Sequence, residues 1–394
     1  MIRSHRLLIA FAFTFTFILI PSLFIICRER SANYNYQKGI DAGLGRAKDY
    51  KTAAKYYTLA AEKGHSQAQY FLGELYEDGK GVEKDLKEAF KWYSLSAEQG
   101  NPASMHKVAC IYYANGKGSE RDKEEAFNWW KKTVESISIQ TDDKEDFYKR
   151  FYIDYSLKYY FDLSEYGSAM SYLGVCYSFG YGVEKDAEEA VKWWLKAAEI
   201  GNAWAMYNLG WAYSHGEGVE KNMETAVSAW RKAAENGNTN AMFSLGWAYS
   251  DGEGVEKDSD EAVQWWRKAA ELGNTDAMDC LGASYSDGVG VEKNKAKAVQ
   301  WWRKAAEKGQ TIAMLSLGVC YASGEGVEKD SEEAVNWFRK AAELGDAAAM
   351  FKLGECYANG VGVEKNNDKA VNWYNKSAEL GNEAAKEALE KLEN

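Results

Sequence analysis

The peptide AVQWWRKAAE occupies residues 262–271, and the same ten residues recur 36 positions later, at 298–307. On a helix, which turns by about 100° per residue, Ala262 and Ala269 lie near the middle of one face, with Trp265 on one side of it and Trp266 on the other. The small residues allow a neighbouring helix to approach closely, and the indole rings fill the space beside it. We therefore interpret the tryptophan pair as helix packing rather than as a ligand-binding motif.

The recurrence extends well beyond this peptide. A Leu-Gly pair, or its equivalent, is followed by a tyrosine three residues after the glycine, and from Gly174 onward the step is 36 residues. The glycines of this pattern are Gly73, Gly174, Gly210, Gly246, Gly282, Gly318 and Gly354. In the third copy Ala109 replaces the glycine, and a degenerate first copy precedes Gly73. Nine copies therefore lie between Ala32 and Ala384.

Each copy is predicted to contain two helices. Ala241, Leu245 and Ala248 have the spacing of a buried helical stripe, and the glycines of the loop DGEGVEKD are able to end that helix. Asp258 is predicted to cap the second helix, with Glu261 three residues later as in a capping box. We expect these units to stack into an all-α, right-handed α/α solenoid of about nine 36-residue repeats.

The repeat also resembles a known family. Copies such as 241–276 and 313–348 follow A-x-x-x-L-G-x-x-Y-x-x-G-x-G-V, and then A-x-x-W-[WYF]-x-K-A-A-E-x-G. This pattern is similar to the Sel-1-like repeat, a relative of the tetratricopeptide repeat, and it covers nearly all of residues 32–384. The resemblance implies an adaptor fold, whose relatives act in membrane-associated degradation complexes, in bacterial envelope signalling and as secreted factors. A secreted branch joins a cysteine pair in every repeat, and those cysteines are absent here.

The N-terminus differs from the rest of the chain. Residues 7–27 contain no charged residue, and Arg3, Arg6, Arg28 and Arg30 flank them. This length is sufficient to cross a bilayer core. We expect a retained single-pass signal-anchor with the repeats outside the cytoplasm; the alternative is a cleaved signal peptide, which would leave a secreted or periplasmic protein.

The spacing of the copies also predicts the organisation of the chain. The step from Ala109 to Gly174 is 65 residues, which leaves an insert of 28 residues rich in tyrosine and phenylalanine. This insert is interpreted either as an extra helix that packs over a break in the stack or as a lid that docks a partner. The predicted segments are 1–30, the signal-anchor or signal peptide; 31–137, repeats 1–3; 138–165, the insert; 166–384, repeats 4–9; and 385–394, a polar capping helix.

Composition excludes several classes of function. The formal net charge is −11, and no lysine- or arginine-rich block is present, so we expect no nucleic-acid partner, whereas a basic protein or peptide fits this charge. The four histidines and six cysteines have no metal-ligand spacing, so neither a metal nor another cofactor is expected. Cys176, Cys320 and Cys356 occupy one repeat position that holds alanine in other copies, and we interpret them as small, buried and unlinked residues.

One motif invites an enzymatic interpretation. Ser104 and Lys107 match S-x-x-K, and the secreted branch that the chain resembles has been linked to penicillin binding and β-lactamase-like activity. However, Ser104 lies at the small buried position of its repeat, and no S-D-N or K-T-G partner motif is present. A secreted or periplasmic β-lactamase-like or cell-wall hydrolase is therefore the alternative to a protein without catalysis.

Partner-binding residues are expected where the repeat varies. On each first helix, the residues that follow the methionine and the glycine are four apart, change from copy to copy, and lie opposite the buried stripe; in tetratricopeptide-like arrays this face lines the concave surface. Large apolar side chains at such positions predict an interaction site. The predicted residues at these positions are Tyr207, Trp211, Phe243, Trp247, Leu315 and Phe351, and the fifth copy adds Trp204, three and seven residues before Tyr207 and Trp211. The predicted function is a non-catalytic, membrane-anchored scaffold that binds a peptide or protein on this face.

Overall fold

A computed structural model describes residues 28–43, 48–115, 120–137 and 163–393. In these ranges all regular secondary structure is helical, as predicted. The helices are α1 (28–43), α2 (Tyr50–Ala61), α3 (Ser66–Asp78), α4 (Leu86–Glu98), α5 (Pro102–Asn115), α6 (Glu120–Ile137), α7 (Leu163–Phe179), α8 (Ala187–Glu199), α9 (Ala203–His215), α10 (Met223–Glu235), α11 (Thr239–Asp251), α12 (Ser259–Glu271), α13 (Thr275–Asp287), α14 (Lys295–Glu307), α15 (Thr311–Ser323), α16 (Ser331–Glu343), α17 (Ala347–Asn359), α18 (Asn367–Glu379) and α19 (Glu383–Glu393).

The helices pair into nine repeats, numbered here in chain order, each with a first and a second helix. Repeat 1 is α1 and α2, repeat 6 is α11 and α12, and repeat 9 is α17 and α18. Within repeat 6 the two helices pack on each other, and α12 also packs on α13 of repeat 7. The chain divides into two units, residues 1–205 and 206–394. The right-handed course of the array stays a prediction.

Two of the predicted segments meet the edge of the described residues. Helix α7 begins at Leu163, within the predicted insert, and residues 138–162 lie outside the described part of the chain. The predicted membrane segment 7–27 also lies outside it, and none of the described helices has the length and apolarity needed to cross a membrane. At the other end, α19 follows repeat 9 and buries Ala385.

Outside repeat 3, an Asp or Asn side chain caps the second helix of each repeat, and in repeat 6 the capping box is incomplete. In repeat 6 the Asp258 carboxylate accepts a hydrogen bond from the Glu261 amide at 3.0 Å. The Asp258 amide, however, donates to the Tyr249 carbonyl of α11 at 2.9 Å. The second half of the box is thus replaced by a backbone contact that ties the two helices of the repeat together.

The two loop glycines have different tasks. Gly252 ends α11 with a left-handed φ of 78°, and its amide donates to the Ala248 carbonyl at 2.9 Å. Gly254 also has a positive φ, of 71°, and its Cα lies against the backbone of Met223 at the start of α10. A side chain at position 254 would therefore collide with the preceding repeat as well as strain its own backbone.

The tryptophan pair of the opening peptide packs, as predicted, but its two rings are not equivalent. Trp266 is 6% exposed and lies directly on Gly246 of the same repeat, where an added Cβ would be 2.7 Å from ring atom Cε2. Trp265 is half-buried, and the Lys268 ammonium lies over its ring at 4.0 Å from the centroid. The glycine of the Leu-Gly pair is thus the space into which the second aromatic ring of the repeat fits.

The recurrent tyrosine connects neighbouring repeats. An arginine of one second helix donates a hydrogen bond to the tyrosine hydroxyl of the next first helix. The pairs are Arg231 with Tyr249 at 2.8 Å, Arg267 with Tyr285 at 3.1 Å, and Arg303 with Tyr321 at 2.6 Å. This bond recurs with the 36-residue period between repeats 5 and 8, and it ties each of these repeats to the next.

Candidate functional site

The variable positions of the first helices form what we call the first-helix ridge. In residues 206–394 its pairs are Tyr207/Trp211, Phe243/Trp247, Asp279/Ala283, Leu315/Val319 and Phe351/Glu355. A methionine precedes the first member of each pair and a buried glycine precedes the second; the methionine is buried in repeats 6 to 9 and half-buried in repeat 5. The first member of each pair is half-buried, whereas Trp247, Ala283 and Val319 are exposed. The ridge therefore presents side chains that the packing of the repeat leaves in solvent.

Trp247 is the most prominent member of the ridge. It is 45% exposed, a large fraction for an indole. One edge of its ring packs at right angles against Phe243, with 6.3 Å between centroids, and it contacts Trp266 of the core at 5.5 Å. Trp247 is thus oriented by two rings from below, and its outer surface remains available to a partner.

The residues predicted on α9 lie in a related arrangement. Trp211 is half-buried and stacks on His215 with 4.5 Å between ring centroids. Tyr207 is half-buried, and burial raises the pKa of its hydroxyl, which also forms a hydrogen bond with Ser244 of repeat 6. Trp204 is 41% exposed in the first turn of this helix and belongs to the other unit. Tyr207 therefore contributes to packing between repeats, whereas much of Trp204 and part of Trp211 face solvent.

The ridge changes character toward the C-terminus. Leu315 is half-buried against the core, and the exposed residue beside it is Val319, at 44%, which was not among the predicted residues. Phe351 packs on Tyr374 with 5.6 Å between ring centroids. Its neighbour Glu355 forms an ion pair with Lys352 at 2.9 Å. The exposed apolar surface therefore lies in repeats 5 to 8. Val319 was not predicted as a binding residue because a single valine is a weak signal for an interaction site.

In the first unit the ridge of repeat 2 is polar, as its pair Tyr70/Glu74 indicates. The Tyr70 hydroxyl donates to Glu74 at 2.9 Å and lies 3.3 Å from Glu165 of α7. Burial raises the pKa of Glu74. Tyrosine and carboxylate thus occupy the positions that hold Phe243 and Trp247 in repeat 6.

A second group of polar contacts lies beside it. The carboxylate of Glu77 accepts hydrogen bonds from the Tyr93 hydroxyl at 2.6 Å and from the Lys107 ammonium at 2.9 Å. Burial alone would raise the pKa of Glu77, but these two donors hold it below its ordinary value. The network joins repeats 2 and 3 and keeps Lys107 protonated, because its own pKa is raised by the carboxylate despite burial.

This environment bears directly on the S-x-x-K motif. Ser104 is fully buried, as its repeat position predicts, and its hydroxyl donates to Ser96 at 2.8 Å. Lys107 is held by Glu77 as a cation and is therefore unsuited to act as the base of a serine nucleophile. The motif is explained by packing and by an ion pair.

His106 and Cys110 form another pair of side chains that could carry chemistry. The His106 Nε2 atom lies 3.5 Å from the Cys110 sulfur. Burial lowers the pKa of His106 to about 4 and raises that of Cys110 to about 12. Both groups are therefore neutral near pH 7, where a cysteine nucleophile would need to be a thiolate.

The arrangement of the cysteine, histidine and acidic side chains bears on metal binding and on disulfide crosslinks. Within the described ranges, no group of three or more His, Cys, Asp or Glu residues could hold a metal ion. The five cysteines of these ranges are free, and Cys176, Cys320 and Cys356 are buried at their shared repeat position, as predicted.

Solved structures with the same architecture support the repeat assignment. The structure of c5321, a protective antigen present in uropathogenic Escherichia coli strains with an SLR fold, is 32% identical, with 92% of this chain and 80% of that chain covered and a TM-score of 0.55. A Sel1 repeat protein from Oxalobacter formigenes is 34% identical, with 69% of this chain and 96% of that chain covered and a TM-score of 0.54. No curated protein matches the chain.

The family model described as Sel1 repeat matches nine times, at residues 29–65, 66–101, 102–136, 167–202, 205–238, 239–274, 275–310, 311–346 and 347–382. These nine matches confirm the number of copies and the resemblance read from the sequence. Sel1 repeat proteins are generally scaffolds for protein interaction. Since the matches cover nearly all of residues 29–382, the chain belongs to the Sel1 repeat family.

Proposed function

We propose that this protein is a non-catalytic scaffold that binds a peptide or protein segment along the first-helix ridge of repeats 5 to 8. The observation that carries the proposal is the exposure of large apolar side chains on that ridge, with Trp247 at 45% and Val319 at 44%. The ridge is the face that lines the concave surface in tetratricopeptide-like arrays, and we propose the same placement here.

The energetics of such a surface favour binding by a few anchors. An aromatic side chain that becomes desolvated at the centre of an interface contributes about 2 kcal/mol or more when it is truncated to alanine. Trp247 is already oriented by Phe243 and Trp266, so little side-chain entropy remains to be lost on binding. Trp211, stacked on His215, is ordered in the same way.

The proposal is tested by panning a displayed library of random 12-residue peptides on the full-length chain in mild detergent. Enriched peptides are then measured against Trp211→Ala/Trp247→Ala. We expect a loss of affinity of about 30-fold or more, which corresponds to about 2 kcal/mol. The thermal melt should change little, because Trp247 leaves no large cavity when its exposed ring is removed.

The matched control is Trp265→Ala/Trp301→Ala. These two tryptophans are half-buried on second helices, with Lys268 and Lys304 over their rings, and neither lies on the ridge. This variant should lower the melting temperature and leave peptide affinity unchanged. Equal loss of affinity in both double variants, or no enrichment of peptides on the native protein, would refute the ridge as a binding surface.

The proposal also includes an N-terminal anchor at residues 7–27, with the repeats outside the cytoplasm. The support is the uncharged run of 21 residues between basic flanks. After expression in bacteria, the protein should remain in the membrane pellet through alkaline carbonate extraction, and its repeats should be digested by protease added to spheroplasts. Release by carbonate, or a mature N-terminus beyond residue 27, would favour cleavage and a secreted or periplasmic protein.

A further inference from the structure

The first-helix ridge is interrupted at repeat 7. The ridge pair there is Asp279 and Ala283, whereas the repeats on either side carry Phe243 with Trp247 and Leu315 with Val319. Ala283 is exposed, so no neighbouring side chain covers this position. Two large apolar residues, Trp247 and Val319, therefore precede and follow a position with short side chains.

The Asp279 carboxylate occupies a site that is apolar in the other repeats of this unit. It is half-buried, and burial raises its pKa while the indole of Trp302 opposes the shift. The Trp302 Nε1 atom makes no hydrogen bond of ordinary geometry, so this contact is a weak one. Within the described residues the charged group that acts on Asp279 is a second carboxylate, Asp276, and no lysine or arginine forms an ion pair with it.

A half-buried carboxylate without a cation has a cost in solvation that a bound cation would remove. Packing within the repeat does not require a carboxylate at this position. The other repeats of this unit fill it with apolar or aromatic groups, namely Tyr207, Phe243, Leu315 and Phe351. Ala283, one helical turn after Asp279, is exposed and adds only a methyl group beside this carboxylate. A lysine or arginine combines an apolar stem with a charged head and suits both features.

We propose that repeat 7 is a specificity site which accepts one lysine or arginine side chain of an extended peptide bound along the ridge. The aliphatic stem lies over Ala283 between Trp247 and Val319, and the cationic head reaches the Asp279 carboxylate. The flanking residues of the peptide are apolar and contact Trp247 and Val319. The net charge of −11 favours the approach of such a partner. This inference rests on the ridge being a binding surface, as proposed above.

The test uses four pools of acetylated nonapeptides whose central residue is lysine, arginine, norleucine or glutamate and whose flanking positions are randomised among Leu, Phe, Ser and Gly. Each pool is measured by fluorescence anisotropy on the full-length chain in detergent. We expect the lysine and arginine pools to bind about 10-fold more tightly than the norleucine pool, as a hydrogen bond to a charged group provides. Asp279→Asn should remove this preference, so that the lysine, arginine and norleucine pools bind with similar affinity.

Asp276→Asn is the matched control, because it removes the same charge three residues earlier on the same helix. Asp276 is exposed in the first turn of α13, so this variant should retain the preference for lysine and arginine. Equal preference in native protein and Asp279→Asn, or its loss in Asp276→Asn as well, would overturn the assignment to Asp279. Trp247-dependent binding of all pools without preference would overturn the specificity site alone, whereas the absence of binding by any pool would overturn both proposals.

Discussion

Replacing Gly246 by alanine should destabilise the fold, although alanine is the better helix former. An added Cβ would lie 2.7 Å from Trp266 Cε2, with ring atoms Nε1 and Cδ1 closer still, whereas Cβ contacts in proteins essentially never fall below 3.0 Å. Trp266 is 6% exposed and also contacts Trp247, so its ring has little room to move away. Either the ring or helix α11 must shift.

The magnitude follows from two opposing effects. Overpacking of a core costs about 1–3 kcal/mol, and three ring atoms inside the forbidden distance place Gly246→Ala toward the upper end. The intrinsic helix preference of alanine over glycine returns about 1 kcal/mol. We therefore expect a net loss of about 2 kcal/mol in the free energy of unfolding, measured by urea denaturation and followed by circular dichroism.

A double-mutant cycle with Trp266→Ala separates the two effects. Once the ring is absent, the clash is absent too, and only the helix preference remains. Gly246→Ala should then stabilise the Trp266→Ala protein by up to about 1 kcal/mol, so that the sign of the effect reverses. If Gly246→Ala destabilised both backgrounds equally, the contact between glycine and ring would not be the reason for the Leu-Gly pair.

Three further outcomes are expected. Excising residues 253–288, one whole period, should leave a soluble helical protein, whereas excising 18 residues from the same place should cause aggregation by leaving a helix face without a partner; equal solubility would contradict a repeat that packs only on its neighbours. Because burial lowers the pKa of His106 to about 4, the unfolded chain binds the proton first as pH falls, and this group should make the protein about 2 kcal/mol less stable at pH 5 than at pH 7.5. His106→Gln should remove that part of the pH dependence, and an unchanged difference would place the titration elsewhere. The five free cysteines of residues 28–393 should resist iodoacetamide at pH 8 in the folded protein, since burial raises the pKa of each, and should all react in urea.

Features that depend on neighbours close in sequence were predictable from the chain alone. The stripe of Ala241 and Leu245, the Asp258 cap and the left-handed turn at Gly252 follow from helix geometry within one copy, and the 36-residue period then extends them to the whole array. The burial of Trp266 followed from the same reasoning. These predictions hold because each contact spans a few residues, so a periodic pattern specifies it.

The tertiary structure alone decided the contacts between positions far apart in sequence. Gly246 is small because Trp266 lies on it, the Asp258 amide pairs with Tyr249 rather than with Glu261, and Lys107 is neutralised by Glu77 from the preceding repeat. The hydrogen bond of Tyr207 with Ser244 and the packing of Leu315 against the core likewise became visible only once neighbouring helices were in place. Sequence periodicity determines which face of a helix is buried, but the partner of each side chain depends on the distance and angle between packed helices, which no single copy encodes.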